Sequence, residues 1–507
     1  MILIHPPIVK PSEPPPGMAR LMGACRAHGV ACRLVDANLE GILFLLGMDR
    51  NPYDTWGKRA VKNMEQNLSS LRDRLIYSTP DRYRRVVFDV NKVLEMAALE
   101  KGVHVGLGNY RNTSLSPVKS ADLIRAAEEP ENNPFYPYFR ERLSGIIEEE
   151  QSAFAGFSLN YLSQALTAFA MIGYLKRKHP DMQIVLGGGL VTSWMKRPGW
   201  SNLFGGLVDH LIAGPGEKPL LSLAGKEASA RPHILPVYDD LPMDRYLSPR
   251  AVLPYSASSG CYWNQCAFCP EKAEGSLYVK TADKSVALDL RELSEKVMPS
   301  MIHITDNAIS PSLMRTLAKN PPGAPWYGFA RITQHLADPD LCYALKISGC
   351  VMLKLGLESG DQGVLEAMQK GSNLATASKV LTTLKDVGIA TYVYLLFGTP
   401  SETEKEARKT LRFSADHADC IDFLNVAIFN MPVNSEEGKR LNTGEFYEGN
   451  LSLYSDFVHP KGWGRREVRI FLDKEFKRHP AIAPIIRRDP PIFTSNHAPF
   501  FVQYNRR

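Results

Sequence analysis

The chain has 507 residues, of which 44% are hydrophobic and 22% charged, and its formal net charge is +6. This length predicts two or three domains, and the composition is that of a globular protein rather than a disordered or fibrous one. The small positive charge gives no argument for nucleic-acid binding. Eight cysteines in so long a chain do not indicate a disulfide framework. We find neither a signal peptide nor a bilayer-length apolar run, and we expect a cytoplasmic protein that does not bind membranes.

Strands and helices alternate at the N-terminus in the order typical of a doubly wound, Rossmann-like sheet. A buried strand at 2–4 precedes a proline-rich loop, a helix at 18–28 and a strand at 30–36. The alternation resumes only near residue 153. The intervening residues 42–150 show helical spacing of apolar residues, which predicts a helical insertion. This insertion either caps a ligand face or forms a solvated helical layer with no binding role.

Two turns that follow strands of this domain are rich in glycine. Their residues are Gly187, Gly188 and Gly189 in the first turn, and Gly214, Gly216 and Glu217 in the second. Glycine just past a strand end lets a ligand approach the backbone closely. Ordinary tight turns explain the same residues, and short glycine motifs alone do not decide between the two interpretations.

Three cysteines, Cys261, Cys266 and Cys269, lie within nine residues with the spacing C-x4-C-x2-C, directly after a predicted strand at 251–255. Thiolates are soft ligands that suit iron–sulfur clusters and zinc. Structural zinc takes four protein ligands, and no nearby fourth ligand completes a paired motif. A distant side chain such as His303 could supply one, so a zinc-stabilised binding protein stays an alternative. An iron–sulfur cluster with three protein ligands would leave one iron open.

Six strand–helix steps follow one another from the cysteine strand to about residue 430, which predicts a parallel sheet, open or barrel-like. Polar residues or glycine stand at the carboxyl ends of these strands. They include Asp306, Asn307, Arg331, Glu358, Ser359 and Gly398. Folds of this kind place their chemistry at that edge of the sheet.

These features together resemble the radical S-adenosylmethionine (SAM) superfamily. The cysteine loop is similar to its cluster motif, with one more residue in the first gap, and its form G-C-x-W-x-x-C-x-F-C resembles the variant of the cobalamin-domain members. Residues 354–371 and 395–403 resemble the fourth-strand and fifth-strand segments of the superfamily. The resemblance implies a partial (β/α)6 radical SAM barrel, preceded by a Rossmann-like cobalamin-binding-like domain.

The resemblance also implies roles for the site residues. The three cysteines would hold a [4Fe-4S] cluster whose open iron chelates SAM. The SAM contacts would be Asp306 and Asn307 at the methionyl amine, Arg331 at the carboxylate, Glu358 and Ser359 at the ribose or carboxylate, and Gly398 at the adenosine. Each of these residues also has a structural interpretation, as a strand-end cap, a salt bridge or a tight turn.

Cobalamin is implied by the same resemblance, with the two glycine turns and Glu217 as its contacts. Cobalamin domains with a cobalt-ligating histidine carry the motif D-x-H-x-x-G. The corresponding residues here are Asp36–Gly41, and Asn38 stands where the histidine would be. We therefore expect no protein histidine on cobalt. A domain that has kept the fold and lost the cofactor is the alternative.

The predicted organisation is a cobalamin-binding-like domain at 1–225, a linker at 226–250, a radical SAM barrel at 251–445 and a C-terminal extension at 446–507. The implied function is a cobalamin-dependent methyltransferase acting at an unactivated centre. In the family's scheme, one SAM methylates cobalamin and another yields the 5′-deoxyadenosyl radical. The alternatives are a radical SAM enzyme without cobalamin, performing a rearrangement, cyclisation or RNA or peptide modification, and the zinc-stabilised non-catalytic protein.

The expected partners follow from this function. They are a small-molecule or peptide substrate and an external electron donor such as flavodoxin or ferredoxin. The aromatic and basic extension at 446–507 could bind RNA, but it contains no recognisable nucleic-acid module. We therefore expect it to cover the open end of the barrel.

Overall fold

A computed structural model describes residues 1–227, 233–491 and 497–502 of the chain. Its contacts form two compact units, which are mainly Met1–Val252 and Leu253–Phe446. Of the C-terminal extension, Tyr447–Leu453 belongs to the first unit and Tyr454–Pro490 to the second. Part of the predicted linker, 228–232, and parts of the predicted extension, 492–496 and 503–507, lie outside the described residues.

The first unit combines one parallel sheet with helices. In chain order its elements are β1 (Ile2–Ile4), α1 (Pro16–Ala27), β2 (Arg33–Val35), α2 (Ala37–Gly47), α3 (Thr55–Lys62), α4 (Met64–Arg72), α5 (Pro80–Ala98), β3 (Val103–Gly106), β4 (Asn109–Asn112), α6 (Ser120–Glu128), α7 (Tyr136–Glu150), β5 (Phe154–Ser158), α8 (Leu162–Lys178), β6 (Gln183–Gly187), α9 (Gly189–Met195), β7 (His210–Leu211) and α10 (Glu217–Leu223). Short 3₁₀ turns occur between several of them.

The five-stranded sheet of this unit has the order β2-β1-β5-β6-β7, and all its strand pairs are parallel. This is the order of doubly wound, flavodoxin-like sheets, which confirms the predicted fold class. Residues Ile2–Ile4 of β1 are all buried, as expected of a strand covered on both faces. The strand order reverses between β1 and β5, so the carboxyl ends of these two strands mark the edge where such sheets bind ligands.

The insertion between β2 and β5 is mainly helical, as predicted, but it also contains the antiparallel hairpin β3–β4. We did not predict this hairpin. Its only sequence signals are the alternation Val103–Gly106 and the glycine turn at 106–108, which are weak beside the long amphipathic runs around them.

Residues 233–250 contain neither helix nor strand, and they pack firmly on the first unit. The amide of Val237 donates to the carbonyl of Ala19 over 2.9 Å. Tyr246 is buried, and its hydroxyl donates to Asp36 Oδ2 over 2.6 Å. This segment therefore forms part of the first unit's core.

The second unit is organised around a six-stranded sheet. Its elements are β8 (Val252–Tyr255), β9 (Ser258–Ser259), α11 (Pro270–Ala273), β10 (Val279–Lys280), α12 (Asp283–Val297), β11 (Met301–Ile304), α13 (Pro311–Lys319), β12 (Trp326–Ala330), α14 (Pro339–Ile347), β13 (Cys350–Glu358), α15 (Gln362–Ala367), α16 (Leu374–Val387), β14 (Ala390–Phe397), α17 (Glu404–Asp416), β15 (Phe423–Ile428), β16 (Met431–Pro432), β17 (Thr443–Glu445), β18 (Tyr454–Phe457), α18 (Arg465–Lys474) and α19 (Ala483–Arg488).

The sheet runs β8-β11-β12-β13-β14-β15, and the pairs from β11 to β15 are parallel. Within this sheet, successive strands of the chain lie side by side, with helices between them. This is the predicted (β/α)6 arrangement, and the predicted fold class is confirmed. Because parallel strands end at one edge, the loops after β8, β11, β12, β13 and β14 meet there. Among the described residues, no helix is long and apolar enough to span a membrane.

Candidate active site

The cysteine loop leaves β8 at the carboxyl edge of the sheet, as predicted. Gly260 has a φ of +69°, and a Cβ built there would lie 2.5 Å from the carbonyl oxygen of Leu277. Both the backbone angle and the lack of space require glycine at this position. The chain therefore turns sharply just before Cys261, which brings the three cysteines over the end of the strand.

Asp306 anchors the first part of this loop. It follows β11, is 3% exposed, and accepts hydrogen bonds from the amide of Ala257 over 2.7 Å and from the hydroxyl of Ser258 over 2.6 Å. Burial raises the pKa of Asp306, and these bonds oppose the rise. The neighbouring Asn307 donates from Nδ2 to the carbonyl of Gly260 over 3.3 Å. Both residues, which we predicted at the SAM amine, thus hold the loop that carries the cysteines.

The three loop cysteines have the ligand chemistry of an iron–sulfur cluster. Cys266 is buried, while Cys261 and Cys269 are partly exposed. Among the described residues, no three His, Cys, Asp or Glu side chains are arranged to hold one metal ion. A zinc ion needs its ligands within about 2.3 Å of one point, whereas a [4Fe-4S] cluster binds each cysteine to a different iron. Three thiols on one turned loop therefore fit such a cluster.

The turn after α15, residues 368–371, receives the cysteine loop. The amide of Ala267 donates to the carbonyl of Met368 over 2.9 Å, and Trp263 Nε1 donates to the carbonyl of Gln369 over 3.1 Å. Gly371 has a φ of +68°, and a Cβ there would overlap the indole of Trp263. This turn and the cysteine loop consequently fit closely, and each limits the conformation of the other.

Glu358 and Lys370 form a buried ion pair beside this contact. Glu358 Oε1 lies 2.7 Å from Lys370 Nζ, and the two side chains are 12% and 7% exposed. Gly356 leaves the space they occupy, since a Cβ there would lie 2.5 Å from Oε1 and 2.7 Å from Nζ. Lys370 Nζ also lies 5.5 Å from the ring centroid of Phe268 in the cysteine loop. The pair therefore links the end of β13 to the loop.

Arg331 follows β12 and faces the cysteine loop. It is 6% exposed, and its Nη1 lies 3.7 Å from the sulfur of Cys266. The guanidinium carbon lies 4.2 Å from the ring centroid of Trp263. Burial raises the pKa of the neighbouring Tyr262 to about 12, and the charge of Arg331 opposes that rise. Arg331 thus places a buried positive charge directly at one cluster-ligand candidate.

Ser359 points away from this group. It is fully buried, its hydroxyl lies 3.2 Å from that of Thr410 in α17, and it accepts from the amide of Asp361 over 3.1 Å. The described contacts give it a structural place in the turn after β13. Its assignment to SAM stays a prediction.

Gly398 ends β14 with a φ of +80° and borders a cavity of about 220 Å³. The cavity is lined by Gly398, Ile428, Asp456, Phe457, His459, Gly464, Arg465, Arg466 and Glu467. Most of these residues belong to the C-terminal extension, so this extension covers the end of β14. His459 and Trp463 attach it there: His459 Nε2 lies 2.8 Å from the carbonyl of Thr399, and Trp463 Nε1 donates to Glu402 over 3.1 Å.

Glu402 is the buried carboxyl group beneath this cavity. It is fully buried, and its Oε2 accepts from the amide of Gly398 over 2.5 Å. Its Oε1 has no hydrogen-bond partner among the described residues. Burial raises the pKa of Glu402 to about 7, against the opposing effect of the bonds from Gly398 and Trp463. The folded chain therefore holds a proton here that the unfolded chain releases at lower pH.

We expect Glu402→Gln to flatten the pH dependence of stability. Between about pH 4.5 and pH 7 the folded wild type binds more protons than the unfolded chain, so its free energy of unfolding falls as pH rises. The free energy of unfolding falls by about 3 kcal/mol over this range. The glutamine variant should not show this fall, because glutamine does not titrate. Urea denaturation at several pH values measures the difference. Glu404→Gln, at the exposed start of α17 two residues later, serves as the control, and parallel curves for wild type and Glu402→Gln would refute the prediction.

The glycine turns of the first unit lie at the carboxyl edge of its sheet. Gly188 has a φ of +105°, and a Cβ there would lie 2.5 Å from the carbonyl oxygen of Leu159, which follows β5. The turn that contains Gly187 and Gly189 thus packs on the loop after β5, at the point where strand order reverses. Gly214 has a φ of +74° and open space around it.

Two other residues of the predicted cobalamin site have partners within the first unit. Glu217 begins α10, beside Gly216, and forms an ion pair with Arg20 of α1. Asn38 is 2% exposed, and its Oδ1 accepts from the amide of Val9 over 2.8 Å. Asn38 therefore fixes the proline-rich loop after β1.

The structure brings several predicted residues of the second unit together. Cys266, Arg331 and Glu358 lie around the turn at 368–371. Asp306 and Asn307 form hydrogen bonds to the segment that precedes the cysteines. Sequence reasoning missed Lys370 and assigned no role to its turn, although the resemblance to the fourth-strand segment included both. Glu402 was also missed, because a buried carboxylate next to a glycine turn gives no periodic signal.

Comparison with known families identifies the second unit. The family model of the Radical SAM superfamily matches residues 255–414. This range begins at the end of β8 and includes the cysteine loop, the turn at 368–371 and Gly398. A radical SAM domain implies a [4Fe-4S] cluster and SAM as cofactors, and the donor set described above fits the cluster.

Two curated relatives match part of the chain. An uncharacterised methyltransferase of Pyrococcus horikoshii is 26% identical over 231 residues, which are 41% of this chain and 49% of the relative. The anaerobic magnesium-protoporphyrin IX monomethyl ester cyclase of Rubrivivax gelatinosus is 22% identical over 295 residues, 53% of this chain and 50% of the relative. The matched region thus spans about half the length of each of these relatives.

Solved structures share the fold of the whole chain. The radical SAM methyltransferase TsrM of Kitasatospora setae, solved with cobalamin and a [4Fe-4S] cluster, matches with a TM-score of 0.54 and 14% identity, covering 97% of this chain and 91% of TsrM. The cobalamin-dependent radical SAM enzyme OxsB matches with a TM-score of 0.53 and 12% identity, covering 94% of this chain and 66% of OxsB. Residues 255–414 therefore form a radical SAM domain, and the chain shares the fold of these two structures solved with cobalamin.

Proposed function

We propose that this enzyme is a cobalamin-dependent radical SAM methyltransferase that acts on an unactivated centre of a small-molecule or peptide substrate. The observation that carries the proposal is the loop with Cys261, Cys266 and Cys269, held at the carboxyl edge of a six-stranded sheet by the turn at 368–371. Three thiols leave one iron of a [4Fe-4S] cluster open for SAM. When bound and reduced, the cluster supplies the electron that cleaves SAM.

The SAM site that we propose follows the same edge. Glu358 is the acceptor for SAM hydroxyls or the SAM ammonium, since its carboxylate is already held by Lys370. Gly398 and the cavity of about 220 Å³ beside it support an adenosine site, because the cavity has room for a base and Gly398 presents bare backbone there. Asp306, Asn307 and Ser359 would contribute indirectly. Their hydrogen bonds would fix the backbone around the SAM site.

Cobalamin is proposed for the first unit. Its strand order, with the reversal between β1 and β5, supports a ligand at the carboxyl edge of that sheet. The turns around Gly188 and Gly214 lie at this edge and expose backbone there. Asn38, in place of a histidine, has its Oδ1 engaged by Val9, so we propose that no side chain at this position ligates cobalt. TsrM and OxsB, which share the fold, were solved with cobalamin bound.

A radical SAM enzyme without cobalamin is the second candidate, and one experiment separates the two. The protein is purified anaerobically from cells supplied with cobalamin, and its corrinoid is extracted and quantified beside its iron. About one corrinoid per chain, with about four irons, supports the methyltransferase. Iron without corrinoid, also after incubation with hydroxocobalamin, would refute cobalamin dependence and leave the radical SAM assignment intact.

The proposed partners are tested by reconstitution. Reduction of the cluster requires an external electron donor, and a small acidic redox protein such as flavodoxin or ferredoxin is the proposed class. SAM turnover that depends on added flavodoxin or ferredoxin would support this class of partner. Assays of small molecules and peptides as methyl acceptors would identify the substrate class.

A further inference from the structure

Arg331 contacts the cysteine loop at two points and the turn at 368–371 at a third. Its Nη1 lies 3.7 Å from Cys266 Sγ, its Nη2 donates to the carbonyl of Lys370, and its guanidinium stacks on Trp263. The side chain is 6% exposed, and Cys266 is 9% exposed. The stacking ring and the carbonyl fix the guanidinium plane, so Nη1 is held at the sulfur rather than free to rotate away.

A buried donor at a ligand sulfur affects the cluster electronically. Hydrogen bonds to cluster sulfurs and the charge around the cluster set its reduction potential. Reduction adds one negative charge, and a nearby positive charge favours the reduced form, more strongly where water is excluded. Arg331 provides both the N–H donor and the positive charge at Cys266.

We propose that Arg331 is a positioning residue that raises the reduction potential of the cluster by donating to Cys266 Sγ. This role differs from the SAM-carboxylate contact that the sequence resemblance implies for Arg331. It rests on the cluster of the radical SAM domain and not on methyl transfer or cobalamin. The two roles for Arg331 are separable, because one changes the cluster before SAM arrives and the other changes only SAM binding.

The test is a redox titration of the anaerobically reconstituted full-length enzyme without SAM, followed by electron paramagnetic resonance. Arg331→Gln keeps a planar polar group and removes the charge. We expect iron content like that of the wild type and a more negative midpoint potential. At any fixed potential the ratio of reduced to oxidised cluster falls about tenfold, which is about 59 mV for a one-electron couple. Arg408→Gln, at an exposed helix position, is the control and should leave the midpoint unchanged.

Arg331→Lys is the second variant. Lysine keeps the charge but lacks the planar fork, so it cannot stack on Trp263, donate to Lys370 and reach the sulfur together. We expect a smaller shift in the same direction, and this variant decides the question if Arg331→Gln fails to hold iron. A wild-type midpoint in an iron-loaded Arg331→Gln, or in Arg331→Lys where the glutamine variant does not load, would overturn the proposal. Weaker SAM binding with an unchanged midpoint would assign Arg331 to SAM instead. Failure of the wild type to load iron would contradict the cluster itself.

Discussion

Replacing Cys266 by alanine is expected to abolish cluster binding and SAM cleavage. Cys266 is the most buried of the three loop cysteines, and its sulfur lies against Arg331. Iron per chain should fall from about four to near zero after anaerobic reconstitution. Formation of 5′-deoxyadenosine should fall by more than the roughly 100-fold that loss of an outer-shell partner causes. Iron assay and chromatography of SAM products measure both.

Cys342→Ala is the matched control for this variant. Cys342 is also buried in the second unit, but it lies on α14 and its thiol donates to the carbonyl of Leu336 over 3.2 Å. Its loss should cost some stability and leave iron content unchanged. Full iron loading in Cys266→Ala, or equal iron loss in both variants, would contradict the assignment of Cys266 as a ligand.

The second large effect is expected at the Glu358–Lys370 pair. Glu358→Gln leaves the ammonium of Lys370 buried without its charged partner, and breaking such a pair costs about 3–5 kcal/mol in free energy of unfolding. Because Lys370 also contacts Phe268, the cysteine loop should loosen and iron should be lost faster in the presence of a chelator. Urea denaturation and the rate of iron release measure the two effects.

The double variant Glu358→Gln with Lys370→Met tests whether the unpaired charge of Lys370 causes the loss of stability. Removing both charges should restore part of the lost stability, because the cost comes from the unpaired charge. Glu436→Gln is the exposed control: its partner Lys439 is 66% exposed, and loss of such a surface pair should cost less than about 1 kcal/mol. A stability change at Glu358→Gln as small as that of the control would refute a buried pair.

The sequence was sufficient for the fold because both sheets are built from apolar strands that end in glycine or polar residues. The runs at 301–304 and 351–357 are almost continuously apolar, as strands buried on both faces must be, and each is followed by a helix with caps. The sequence did not predict the β3–β4 hairpin, because two four-residue strands between long helices give too few repeats of period two.

The site was only partly predictable for a different reason. Sequence places Asp306, Ser359 and Arg331 at strand ends, but it does not tell which way their side chains point. Asp306 accepts from the backbone of the segment after β8, 49 residues earlier, and the Ser359 hydroxyl contacts Thr410 of α17. Arg331 turns to a cysteine 65 residues earlier in the chain. Such directions depend on contacts between distant segments, which a local pattern does not encode.

We propose that the three-cysteine loop holds a cluster that acts on SAM. The most direct test is to reconstitute the protein anaerobically with iron and sulfide, and to measure bound iron and zinc together with the products formed from SAM under reducing conditions. We expect about four irons per chain, negligible zinc, and 5′-deoxyadenosine whose formation requires Cys261, Cys266 and Cys269. Zinc that persists in place of iron, with SAM left intact, would contradict it.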